Sequence, residues 1–399
     1  MNINPAAHLG TLGKSWLVCG KNWLTRIASG RGASIRVALA SWALSTFLAS
    51  PPLFAWRWDF LTERGRSADY LRLCADPFAR NLIEPLLAYR LTTPVLAWLL
   101  NLPPLGALAL PYFINVVFLA VMFIALRKRL EALPAFLSVI IVALSFPLFW
   151  SNWNTGLPDS TTHLFTVIMM INPGVFVTAI ASLLGFLNDE RMILALPFVL
   201  LWHYGTPEFH RAWWYRAIRW ICAVLVGTGA YLVIRHALTV GWIGPGIARP
   251  QIYGAVAVGG SNFRPWLGSW PVAILNIFLG FRWGWLLMIL FSVTLIREKR
   301  YGFVSYYMGA LALGAFASVI VADVAKSIGY AFPALLLAAA ELNRRNATQS
   351  YNRLSWIIAA LVVTPAFYTI ENFVVQWYRP LPLVIFRMLT GWDLGHSMR

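Results

Sequence analysis

The 399-residue chain carries only 15 acids, and five of them (Asp59, Glu63, Asp69, Asp76 and Glu84) fall in one stretch just after the first apolar run. Carboxylates gathered this way suit two chemistries: taking a proton from an acceptor group, or holding a divalent ion through oxygens. Ser67-Ala68-Asp69-Tyr70 opens a helical pattern, so Ser67 also reads as an N-cap and Asp69 as a first-turn acid favoured by the helix dipole. Both roles are compatible at Asp69. Asp76-Pro77 reads as an N-cap with an N1 proline, and Asp59 with Glu63 as a solvated helix face. Tyr89-Arg90, with Thr92, Thr93 and Pro94 behind it, closes the stretch on a cation. Such an arginine either snorkels to headgroups or grips a lipid-linked phosphate through its fork.

Asp159 and His163 stand four residues apart and share a helix face. Histidine is the side chain most easily tuned for proton transfer; the plainer alternative is a hydrogen-bonded structural pair. Asp323 and Lys326 flank a short apolar run, where they read as a local ion pair or as functional groups at a membrane boundary. Arg235, His236, Arg249 and Arg264 fall on the same expected side as Arg90. Together these cations would form an outward-facing anion site beside the acids. The chain lacks HExxH, Walker A, GxSxG and a GxGxxG loop after a strand, and no metal cluster has ligand spacing. A divalent ion held by the Asp-rich stretch is the one metal the residues suit.

The elements that must position these groups follow from composition. The chain is 59% hydrophobic and 12% charged, with a mean hydropathy of +0.66; soluble proteins average about 25% charged residues. Several runs approach the roughly 20 residues that a helix needs to cross hydrocarbon. The expected fold is all-α: a polytopic transmembrane bundle of about nine to ten spans. The net charge of +17 sits between apolar runs, as lipid headgroups and the positive-inside rule require. No basic stripe with stacking aromatics points to nucleic acid. Twenty Trp and 14 Tyr suit interfacial belts, and the three cysteines form no framework.

Residues 1–36 read as a cytoplasmic amphipathic leader, 37–370 as the membrane domain, with 57–101 its first extracytoplasmic loop, and 371–399 as an interfacial tail. The expected spans are Val37–Trp56, Leu105–Leu126, Pro134–Trp150, a broken Leu164–Leu187, Ala217–Ile234, Pro271–Ile296, Phe303–Val321, Gly329–Ala340 and Trp356–Ile370. Met192–Trp202 is too short to span and reads as re-entrant, with both ends cytoplasmic.

The Asp69-Tyr70 pair in a first loop, and a Tyr-Arg-x-x-x-Pro stretch (Tyr89, Arg90, Pro94) entering the next span, resemble bacterial membrane glycosyltransferases of the C-type fold. Weaker echoes are Asn188 to Arg191 opening a Leu-rich run and Asp323 ahead of Pro333. The resemblance implies a sugar transferred from a polyprenyl-phosphate donor at the outer face of a bacterial inner membrane. It casts Asp69 as base, Tyr70 among the substrate contacts and Arg90 as phosphate contact. The chain departs from that family in lacking a soluble extracytoplasmic domain and a clear second catalytic acid. Two other classes fit the same residues: a transporter or flippase of lipid-linked or anionic cargo, and a structural membrane protein whose charges are anchors and caps.

Overall fold

Prolines and glycines set where the helices break. A computed structural model describes residues 20–50, 65–79, 82, 85–153, 159–204, 211–244, 246, 270–320, 324–370 and 374–390. The described chain is helical apart from one short hairpin. Asp59, Glu63, Glu84, Arg249, Arg264 and Asp323 lie outside these residues.

Helix α1 (Ala33–Leu48) is followed by α2 (Gly65–Ala75), a 3-10 turn (Pro85–Tyr89) and α3 (Thr92–Leu99). Ser67 is inside α2. Asp76 caps a turn instead of a helix: its Oδ1 accepts the Phe78 N–H at 2.9 Å, the Asx geometry that aspartate favours. Helix α4 (Pro104–Arg127) is the long span expected, with proline at its start, where a missing N–H costs nothing. The run taken as Pro134–Trp150 divides into α5 (Ala132–Ala143) and α6 (Phe146–Trp153), bent by 57° just before Pro147.

Residues 164–187 do not form one broken span. Helices α7 (Asp159–Ile171) and α8 (Val175–Phe186) fold back on each other as a hairpin. Pro173 cannot continue the α7 hydrogen-bond ladder, and Asn172 Oδ1 accepts the Gly174 N–H at 2.8 Å to turn the chain. At the tip, Lys128 donates to the Ile171 carbonyl at 2.8 Å. The far ends of both helices therefore return to one level, away from Lys128. There the orphan carbonyls of α8 are met by the segment after Arg90: Leu91 N–H bonds Leu187 O at 2.7 Å and Thr92 Oγ1 bonds Leu184 O at 2.6 Å.

A 3-10 turn (Glu190–Leu194) and α9 (Leu196–Tyr204) then run back toward the Lys128 end. Arg129 bonds the Trp202 carbonyl and His203 meets Met169 O there. The Met192–Trp202 run thus has its two ends at different levels, not at one face as expected. Helix α10 (Arg211–Val240) lies parallel to α8. A Cβ on Gly227 would meet the α8 backbone, and the Phe186 and Tyr231 rings stack 5.8 Å apart.

Helices α11 (Trp270–Phe281) and α12 (Gly284–Arg297) meet at 88°, so Pro271–Ile296 is no single straight crossing. Helix α13 (Tyr301–Ile320) matches expectation. The six-residue α14 (Val324–Gly329) leads into α15 (Phe332–Arg345), whose Phe332–Ala340 stretch is buried on every side. Helix α16 (Ala347–Val363) precedes an antiparallel hairpin of β1 (Phe367–Ile370) and β2 (Val374–Trp377), with Phe367 opposite Trp377. Those strands replace the last part of the span expected through Ile370. Helix α17 (Leu381–Thr390) ends the described chain.

Among the described residues three helices are long and apolar enough to cross a membrane, and five segments are if each bent pair counts as one. Nine are not reached among those residues. Sequence hydropathy counted short arms such as α7 and α8, of 13 and 12 residues, which are the two halves of one hairpin.

Candidate functional site

The α7–α8 reversal places Asp159 and Asp189 at one level, and three cations converge on them. Arg90 Nη1 lies 3.1 Å from Asp159 Oδ1, and its Nη2 lies 3.1 Å from Asp189 Oδ2. Arg191 forks onto Asp189 at 2.9 and 2.7 Å, the bidentate geometry that suits guanidinium to carboxylate. Lys326 Nζ, from α14, sits 2.8 Å from Asp159 Oδ2. That last contact is an ion pair without hydrogen-bond alignment, so Oδ2 keeps an unmet acceptor. The order along the chain of charges is cation, anion, cation, anion, cation: Arg191, Asp189, Arg90, Asp159, Lys326. Among the described residues three positive groups face two negative ones, leaving one positive charge in excess.

All five side chains are largely buried; Arg90, at 18% exposure, is the most open. Burial alone would raise Asp189, but Arg191 and then Arg90 override it and hold the carboxyl well below its ordinary range. Burial pushes the Lys326 ammonium down to about 8, helped by the Arg191 charge and opposed by Asp159.

A neutral frame fixes the cluster. Thr93 Oγ1 bonds Thr161 Oγ1 at 2.7 Å and Asn188 Oδ1 at 3.0 Å, and Asn188 Nδ2 donates to Thr162 Oγ1 at 2.9 Å. Below Asp159, the His163 ring lies among Tyr330 at 4.7 Å, Phe332 at 5.3 Å and Phe118 at 5.6 Å. His163 Nδ1, Tyr330 OH, Ser160 Oγ and Ser327 Oγ are buried without a hydrogen-bond partner. Buried polar groups are normally paired, so these four mark polar capacity that the fold itself does not use.

Of the residues singled out from sequence, Asp159, Arg90, Lys326 and His163 come together. Asp69 does not join them. It is fully buried in α2 and pairs with Arg72 at 3.1 Å, while Tyr70 OH bonds the Ala107 carbonyl at 3.0 Å near the start of α4. Arg235 sits beside the cluster's neighbour Tyr89, 4.5 Å over its ring, and bonds Tyr231 OH at 2.6 Å. His236 turns outward, against Trp242. Asp189 and Arg191 belong to the site although hydropathy placed them at the opposite face. The signal was Asn172-Pro173-Gly174, read as a break instead of a reversal. Among the described residues no group of three or more His, Cys, Asp or Glu is placed to hold a metal ion.

These features define a helical chain with several membrane-length apolar helices, as in multi-pass membrane proteins, built around a buried ion cluster. No protein-family model matches the chain, and no curated protein or solved structure does either.

Proposed function

We propose that this chain is a membrane glycosyltransferase that moves a sugar from a polyprenyl-phosphate donor to an acceptor hydroxyl at the extracytoplasmic face. The observation that carries the reading is the cationic excess around Asp159 and Asp189. A phosphate replaces water well where guanidinium and ammonium groups already converge. In the reaction the acceptor O–H loses its proton to a carboxylate as its oxygen bonds the sugar C1. The C1–O bond to phosphate breaks, and the lipid phosphate leaves with the electron pair and one further negative charge. Arg90, Arg191 and Lys326 offset that charge. Asp159, in contact with both Arg90 and Lys326, is the candidate base in the cluster, His163 stands one turn away, and Asp69 is the base that the resemblance implies.

Single variants Asp159→Asn and Asp69→Asn, assayed with a radiolabelled lipid-linked sugar, separate the two bases. Loss of a general base lowers the rate about 10²–10⁴-fold. Loss at position 159 alone supports the cluster as the site, and full transfer by both variants removes the enzymatic reading.

The depth of the cluster favours transport of anionic cargo as a second reading. With 13 residues in α7, Asp159 stands about 18 Å from Ile171 at 1.5 Å per residue. The 24-residue α4 beside it is about 36 Å long, so the charges lie near its middle, where transporters place their sites. Flux of lipid-linked sugar across proteoliposomes without transfer would favour this alternative.

A further inference from the structure

Beyond α6 from the ion cluster, a further cation is buried with no acid beside it among the described residues. Trp150 faces Lys326, 5.5 Å from its ring, while the preceding residue, Phe149, faces Arg282 at 5.8 Å. Arg282 stands at the 88° bend between α11 and α12, with φ of 51°. Non-glycine residues adopt that left-handed backbone rarely, and such strain gathers at functional positions. Its side chain is 3% exposed. Nη1 donates to Leu144 O at 3.2 Å, and Nη2 donates to the Leu361 carbonyl at 2.8 Å and to that of Thr364. Those carbonyls close α5 and α16, so helix dipoles hold the guanidinium in place. The dipoles bring no ion. Among the described residues Arg282 has no carboxylate partner, and its Nε has no acceptor.

Arg282 also lines a cavity of about 120 Å³ between Leu48, Phe149, Ala366 and Tyr378. Val362 and Val363, which share its lining, are 42% and 80% exposed on the apolar flank of α16. The lining thus joins an exposed apolar surface to a buried cation. Arginine's planar fork fits phosphate oxygens.

We propose that the Arg282 cavity binds a phosphate oxyanion, presented by the headgroup of a membrane lipid whose tails lie along Val362 and Val363. This site is separate from the Asp159–Asp189 cluster and does not depend on the reaction proposed above.

The test uses the full chain in phosphatidylcholine nanodiscs. Phosphatidylglycerol retention is read by native mass spectrometry and inorganic phosphate binding by calorimetry. Arg282→Gln removes the cation. Val362→Trp fills the cavity mouth from an exposed position and leaves the arginine in place, should the first variant fail to fold. Phosphatidylglycerol retained by the native chain, and weakened tenfold or more by either variant, supports a lipid headgroup. Inorganic phosphate bound in the same Arg282-dependent way, without lipid competition, assigns the site to a free anion. Failure of the native chain to bind either one overturns the proposal. So does binding that survives both variants but is lost in Lys326→Gln.

Discussion

Asp189 is the residue on which the ion cluster turns, because within that cluster it is the acid that holds two arginines, Arg90 and Arg191. Removing one partner of a buried pair leaves uncompensated charge and costs about 3–5 kcal/mol. Asp189→Asn is therefore expected to lower unfolding free energy in micelles by that amount; a loss under about 1 kcal/mol would mean that water screens the pair. Lys326 adds a pH dependence. With its ammonium held near 8, the cluster's excess positive charge disappears as pH rises through 8, and affinity for a lipid phosphate falls with it. Lys326→Arg, which stays charged, should flatten that fall. Stability runs the other way. An unfolded lysine titrates near 10.4, so between about 8 and 10.4 the unfolded chain binds more protons, and this group's contribution to stability rises with pH. Asp159, Arg90 and Lys326 were legible as charges flanking apolar runs. Their mutual contact was not, since residues far apart in the chain meet only through the fold.

Helices meet closely where glycine removes a side chain, and α8 against α10 provides a paired test. A Cβ on Gly227 would collide with the Ala179 carbonyl oxygen and the Leu183 nitrogen, both backbone, whereas a Cβ on Gly229 meets nothing within 4 Å. Alanine is the better helix former by about 1 kcal/mol. Gly229→Ala should therefore stabilise by up to about that amount, while overpacking makes Gly227→Ala lose about 1–3 kcal/mol. Equal effects in thermal unfolding would place the α8–α10 crossing elsewhere. Single long apolar elements such as α4 and α13 were legible because one run fills one crossing. The α7–α8 hairpin was not: its arms join into one hydropathic run, and only a three-residue turn marks the reversal. The bend between α11 and α12 was not legible either, since Pro271–Ile296 reads as one apolar run and its one sign of a break is the arginine at position 282.

For the whole molecule, the hairpin decides which residues share a face. If residues 164–187 crossed once, Glu190 would lie beside Lys128; folded back, it follows Asp189 at the level of Asp159, the length of α7 away from Lys128. Glu190 is exposed, as are Leu100 near the start of α4, Lys128 and the hairpin-tip residue Val175. Single cysteines at these four positions, with Cys19, Cys74 and Cys222 replaced, can be challenged with a membrane-impermeant thiol reagent added to one side only. The folded-back path requires Val175→Cys to label with Lys128→Cys, and Glu190→Cys with Leu100→Cys. By the positive-inside rule the Arg127-Lys128-Arg129 face is expected in the cytoplasm, so intact cells should label positions 100 and 190 and spare 128 and 175. Labelling of 190 together with 128 would separate Asp189 from Asp159 by the thickness of the bilayer. No ion cluster would then exist, and the anion chemistry proposed for it would fall with it.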